Sequence, residues 1–255
     1  MFRVANVVWL LSFLIVLPLA AGCGGSDKLE ILCGDSFSDP VTKLKEMYEK
    51  ESGEQIELSL GGSEDLLPKV KLKAAGDVFI THSPYMQYTK DADALDREIP
   101  VGFLAPVLVV QKGNPKGIKS IEDLAQQSQE GQQRLRVILP DPEYSTCGEM
   151  VFKLLEEKGI KDAVLKNVDD HLVRKHGQIG DQLKLDNRDV GIMWNGVANK
   201  FLDDIEIVAG PYEYDEIGVS VMGLSYSKQP EKLKKFLDFV EKHGEEVFKE
   251  YGYVK

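Results

Sequence analysis

Positive charge is the first thing this chain is short of. Lys and Arg number 31 against 42 Asp and Glu, a formal net charge of −11. Nucleic acid and acidic membrane surfaces recruit basic proteins, so neither is an expected binding partner. Histidine is sparse as well. His82, His171, His176 and His243 include no pair three or four residues apart, and no cysteine lies at that spacing from any of them. No helix face therefore gathers two histidine or cysteine ligands, and no metal or cofactor is expected. No phosphate-binding loop, dinucleotide fingerprint, internal repeat or low-complexity tract occurs. There are three cysteines, Cys23, Cys33 and Cys147, and two tryptophans, Trp9 and Trp194.

Long apolar runs are equally rare. The main one follows Arg3 and extends from Val4 to Leu19, interrupted by Asn6 and Ser12, and gives way to Ala20-Ala21-Gly22-Cys23. A charged start, an apolar stretch and small residues before a cleavage point describe a secretory signal. The cysteine directly after the small residues resembles a bacterial lipobox, which implies cleavage after residue 22 and a lipid on Cys23. The alternative is an uncleaved membrane anchor, since the run is nearly long enough to span. Gly24-Gly25-Ser26 fits a flexible tether, placed over residues 23–28. Export puts the remaining pair, Cys33 and Cys147, in a setting where a bridge is chemically allowed. Two buried thiols are the expectation instead, because the two residues are assigned below to opposite lobes.

What remains is a chain 43% hydrophobic and 29% charged, a balance that supports a globular core. Strand-like and helix-like segments alternate along it. Strands are predicted over 29–32, 55–60, 77–81, 107–110, 136–139 and 190–194. Helices are predicted over 41–51, 66–75, 121–127, 149–158 and 231–251. This order argues for an α/β fold with parallel or mixed sheets covered by helices, and ligands then bind at the carboxyl ends of the strands.

Three of those strand ends share a chemistry. Gly34-Asp35-Ser36-Phe37-Ser38-Asp39-Pro40 carries a helix-start signature. Gly61-Gly62-Ser63-Glu64 turns tightly and offers Ser63 as a cap. Asp141 to Glu149 places Thr146 and Glu149 at capping-box spacing. A helix start presents free N–H donors and a partial positive charge. Several starts converging on one cleft would bind an anion without Lys or Arg, even in an acidic protein.

At these residues the chain resembles the molybdate-binding proteins of ABC transporters, within the type II periplasmic-binding fold. The resemblance is carried by Cys33-Gly34-Asp35-Ser36, Gly61-Gly62-Ser63, Gly76-Asp77-Val78-Phe79-Ile80, Leu108 to Pro115, Asp141-Pro142 with the later Gly148, Gly191-Ile192-Met193-Trp194 and Tyr251-Gly252-Tyr253. It implies two lobes joined by a two-crossing hinge, with crossings near Leu104 and Glu213. The first lobe would comprise 29–104 and 214–255, and the second 105–213. It also implies a lipid-anchored, extracytoplasmic, monomeric protein that captures a small oxyanion for a permease and is not an enzyme. Ser36 and Ser63 would bind oxyanion oxygens from one lobe, with Thr146, Cys147, Gly148 and Trp194 closing from the other.

Three departures stand out. Trp194 replaces a tyrosine, and its indole can donate but not accept. Ser145 stands where the carboxylate-coordinating branch has an acidic residue. Asp35 and Glu64 flank the proposed anion-binding serines, and are expected to point outward as helix-start charges; otherwise the ligand is partly protonated or differs from molybdate. His171 and His176 are expected on a solvated helix with Arg174 and Lys175, while His82 follows a strand and can reach the cleft. Two other readings stay open: a binding protein of the same fold for another anion, a metal ion or a small organic acid, and an exported enzyme using Cys147 as nucleophile.

Overall fold

The computed structural model describes residues 28–127, 133–169, 171–210 and 217–253. The expected signal sequence, Cys23, most of the tether and the crossing near Glu213 lie outside them. The chain begins with β1 (Leu29–Gly34), a 3-10 turn (Asp35–Phe37) and α1 (Ser38–Ser52). It continues through β2 (Ile56–Gly61), α2 (Ser63–Lys71), β3 (Val78–His82), α3 (Tyr85–Asp91) and β4 (Leu95–Leu104). Then come β5 (Pro106–Gln111), β6 (Val137–Pro140), α4 (Thr146–Glu157), α5 (Lys161–Val168), β7 (Leu172–Val173) and α6 (His176–Lys184). The last elements are β8 (Val190–Trp194), α7 (Asn195–Asn199), β9 (Ile205–Ala209), β10 (Ile217–Leu224) and α8 (Pro230–Glu250).

Two five-stranded sheets result, ordered β2-β1-β3-β10-β4 and β7-β6-β8-β5-β9. Each with its helices forms one lobe of a mixed α/β fold. In the first, β1 runs parallel to β2 and β3, and β10 is antiparallel to β3 and β4. In the second, β6 runs parallel to β7 and β8, and β5 is antiparallel to β8 and β9. Parallel strands buried on both faces read as apolar runs, which is why Leu29-Glu30-Ile31-Leu32 and Val190 to Trp194 were legible. The chain passes between the sheets at Ala105. There the Asn195 amide accepts from Ala105 N at 3.1 Å and donates to Phe103 O at 3.2 Å and Gly252 O at 2.8 Å. One side chain thus ties the crossing to the C-terminal segment, whose Tyr253 hydroxyl donates to Ser36 O.

Several local expectations need correction. α1 starts at Ser38, three residues earlier than expected, which puts Pro40 in the first turn, whose N–H groups need no partner. α2 is preceded by an extended Gly62, and Ser63 is its first residue and not its cap. The cap of α4 is Ser145, whose Oγ accepts from Gly148 N at 3.4 Å, so Thr146 falls inside the helix. His171 is exposed and outside any helix, while His176 opens α6 and is only 8% exposed. The second lobe's wall has buried that ring against Trp194, a tertiary contact that local pattern does not encode.

Candidate functional site

A cavity of about 550 Å³ lies between the lobes. It is walled by residues that follow the carboxyl ends of β1, β2, β3, β7 and β8 and by the start of α4. Ser36, Ser63, Thr146 and Trp194 all line it. Cys147 and Gly148 do not: Cys147 is fully buried in the first turn of α4, and Gly148 packs against the backbone of Asp141 and Pro142. Cys33 is likewise buried, in β1, and both thiols are free. Burial pushes the Cys147 thiol well above its ordinary value, which opposes thiolate formation there.

Four helices of eight residues or more begin at this cavity: α1 after Asp35–Phe37, α2 at Ser63, α4 at Thr146 and α6 at His176. Two come from each lobe. The hydroxyls are arranged as donors. Thr81, itself buried, donates to Ser63 Oγ at 2.9 Å, which leaves the Ser63 hydrogen free for a ligand. Gly34 permits this approach, because a Cβ there would stand 3.0 Å from both Ser63 Oγ and the Phe37 ring. The Ser36 hydroxyl and the Trp194 indole N–H have no hydrogen-bond partner among the described residues.

Aromatic rings form the floor. Trp194, 2% exposed, stacks on His176 with centroids 5.6 Å apart at 26° and meets His82 edge-on at 6.1 Å. Burial lowers the pKa of His82 to about 4. Burial, and then the neighbouring His82, lowers that of His176 to about 3, so both rings are neutral at neutral pH. His176 Nε2 lies 3.1 Å from Ser145 Oγ.

The cavity also holds charges that sequence reasoning missed or misplaced. Asp35 and Glu64 line it and do not point away. Lys175 Nζ lies 3.2 Å from Asp35 Oδ2, an ion pair across the cleft. Lys200 Nζ lies 2.8 Å from Asp39 Oδ1 and donates to Ser38 Oγ at 3.1 Å. Arg174 stacks its guanidinium 3.4 Å from the centre of the Tyr144 ring. The Glu64 carboxylate folds back toward Gly62 at the start of α2, and partial burial, ahead of the charges of Asp65 and Asp35, raises its pKa. Arg174 and Lys175 sit here because β7 ends at Val173; two residues of strand are too few to be legible by alternation.

A two-lobed mixed fold with its cavity at the strand ends, framed by helix starts, defines a solute-binding protein. The chain belongs to the bacterial extracellular solute-binding protein family, whose model matches residues 29–254. It is 26% identical over 231 residues to a Haemophilus influenzae protein named only as a binding protein, covering 89% of this chain and 90% of that one. Its fold is similar to the substrate binding domain assigned to a molybdenum ABC transporter of Clostridium difficile, with a TM-score of 0.67, 21% identity, and 89% and 97% of the two chains covered. The Azotobacter vinelandii periplasmic molybdate-binding protein gives a TM-score of 0.72 at 14% identity, with 89% and 99% covered. Chains of this fold also hold iron or L-phospholactate, so the fold alone does not name the ligand.

Proposed function

We propose that this chain captures a small tetrahedral oxyanion, of which molybdate and tungstate are the models, and delivers it to an ABC transporter permease without catalysing a reaction. The observation that carries the reading is the meeting of four helix N-termini, two per lobe, at one cavity with free hydroxyl and indole donors. Aligned peptide dipoles and unpaired N–H groups favour negative charge at such a place. Ser36 and Ser63 then donate from the first lobe, and Thr146 and Trp194 from the second. The α4 start adds its dipole, while the Gly148 N–H is taken by Ser145 Oγ. A tetrahedral oxyanion is only a few water molecules in size, each water taking about 30 Å³. The cavity's 550 Å³ therefore also admits water or a small organic body bearing the same oxyanion group.

In the same reading residues 1–22 are removed, Cys23 carries lipid, residues 23–28 form the tether, and the protein works as a monomer outside the cytoplasm. Its lobes are 29–104 with 214–255, and 105–213. A Cys23→Ser variant expressed in its host loses its fatty acyl label; retained labelling refutes the anchor. For the ligand, calorimetry of the purified protein with molybdate, tungstate, sulfate, phosphate and common metals is the direct test. Trp194, the only tryptophan outside the expected signal sequence, should change its emission with the same saturation. Heat on adding a metal cation but none with any oxyanion would overturn the reading.

A further inference from the structure

His82 reaches the cavity with its hydrogen-bonding role already fixed. Its Nδ1 lies 2.6 Å from the Ser83 carbonyl oxygen, and a carbonyl only accepts, so Nδ1 carries the hydrogen. The ring is held by edge-on contacts with Phe37 at 6.0 Å, Tyr85 at 5.2 Å and Trp194 at 6.1 Å between centroids. Its burial, 8% exposed, favours the neutral form, and the depressed pKa agrees. A neutral imidazole with hydrogen on Nδ1 has only a lone pair on Nε2. No described residue hydrogen-bonds that nitrogen, it keeps some exposure, and its residue lines the cavity. The floor therefore offers a ligand one fixed acceptor among many donors.

A fully ionised oxyanion has lone pairs on every oxygen. Against Nε2 it sets lone pair to lone pair, and leaves both groups without a partner after losing water. An oxyanion that still bears one hydrogen satisfies Nε2 with that hydrogen and the helix starts with its remaining oxygens. We infer that His82 is a specificity-determining residue, which selects a tetrahedral oxyanion that keeps an O–H, hydrogenphosphate being the simplest, over fully ionised sulfate or molybdate. This inference rests on the oxyanion reading above and moves its ligand away from molybdate.

The test is calorimetric titration of the purified protein in mildly alkaline buffer with phosphate, sulfate and molybdate as probes. All three then carry two negative charges, so the hydrogen is the difference that matters. Phosphate should bind at least about ten-fold more tightly than the other two, the effect of one hydrogen bond involving a charged group. In His82→Phe, which keeps a ring but no acceptor, phosphate affinity should fall by about ten-fold and the phosphate-to-sulfate ratio should approach one. His82→Gln, whose amide can also donate, should narrow the ratio too and serves if the Phe variant does not fold. Equal or tighter binding of sulfate or molybdate by the native protein overturns the selection and leaves oxyanion capture standing. Variants that weaken all three anions alike, with the ratio unchanged, reduce His82 to wall support and overturn its role. Failure of all three to bind overturns free-oxyanion capture and this inference together.

Discussion

The two walls of the cleft are alike in backbone and opposite in side-chain charge. Each contributes two helix starts, so each aims peptide N–H groups at the same space. Yet the first lobe brings Asp35, Glu64 and Asp65, and the second brings Arg174, Lys175 and Lys200. Across the gap these charges partly cancel, as Lys175 meets Asp35 at 3.2 Å and Lys200 meets Asp39 at 2.8 Å. What the walls share, the dipoles and hydroxyls, is then left to set the potential at the ligand. The difference pairs opposite charges across the gap, so under the oxyanion reading the acid excess of the whole chain leaves the local potential to the helix starts.

Acid acts on both walls, because each contributes a buried neutral histidine. His82 and His176 have folded pKa values of about 4 and about 3 against an ordinary 6.5. Between those limits the unfolded chain binds protons that the folded chain refuses, so stability falls as the pH falls below 6.5 and levels off near the folded values. At roughly 1.4 kcal/mol per unit, His82 alone accounts for about 3 kcal/mol over the full window. We expect His176→Phe, which keeps the stack on Trp194, to retain on the order of 2 kcal/mol of what the native protein loses by about pH 5. Urea unfolding at neutral pH and near pH 5 measures this. Equal acid losses in the two proteins would show that His176 is not held neutral.

Next in size are the hydroxyls of the first wall. Ser36→Ala and Ser63→Ala should each weaken oxyanion binding by roughly ten- to a hundred-fold, the range of one hydrogen bond to a charged group. Neither serine caps its helix through its side chain, so thermal unfolding should shift little. Normal binding by both variants would place the ligand elsewhere.

Much of this was legible in the sequence, and the part that was not has physical causes. The α/β class, and the convergence of Ser36, Ser63 and Thr146, follow from apolar strands that end in glycine, serine and helix-start signals. The second wall was largely hidden. β7 has two residues, so nothing in the pattern announced that Arg174, Lys175 and His176 follow a strand end. Ser63 reads locally as a cap, but a buried Thr81 eighteen residues away claims its oxygen. β10 is hard to read locally because Ile217–Leu224 mixes Gly218 and Gly223 into an apolar run, and only pairing with both β3 and β4 makes it a central strand.

A smaller effect is expected in the opposite direction. Glu64 lays its carboxylate back at the start of α2, the place an oxyanion would use. Glu64→Gln should therefore tighten oxyanion binding by about three- to ten-fold, the worth of one partly exposed charge at a helix N-terminus. Because its pKa is raised, the native protein should gain part of the same improvement as the carboxyl protonates, while the variant should not. Titrations at two mildly acidic pH values decide it, and a variant that binds more weakly would make Glu64 a ligand group.

The smallest effect separates pairing from attraction. Lys175 and Asp35 are exposed, 72% and 36% at the side chain, so their ion pair contributes at most about 1 kcal/mol to stability and is screened by salt. Each charge also acts on the ligand through the same partly wet space. Asp35→Asn leaves Lys175 facing the cavity and should tighten anion binding a few-fold. Lys175→Ala unmasks Asp35 and should weaken it a few-fold. If the two act on the ligand only as opposing charges, the double variant should return close to native affinity, with both single effects fading at high salt. Asp35→Asn weakening binding as much as Lys175→Ala does would mean instead that the intact pair holds the walls together, and that closure outweighs local potential at this cleft.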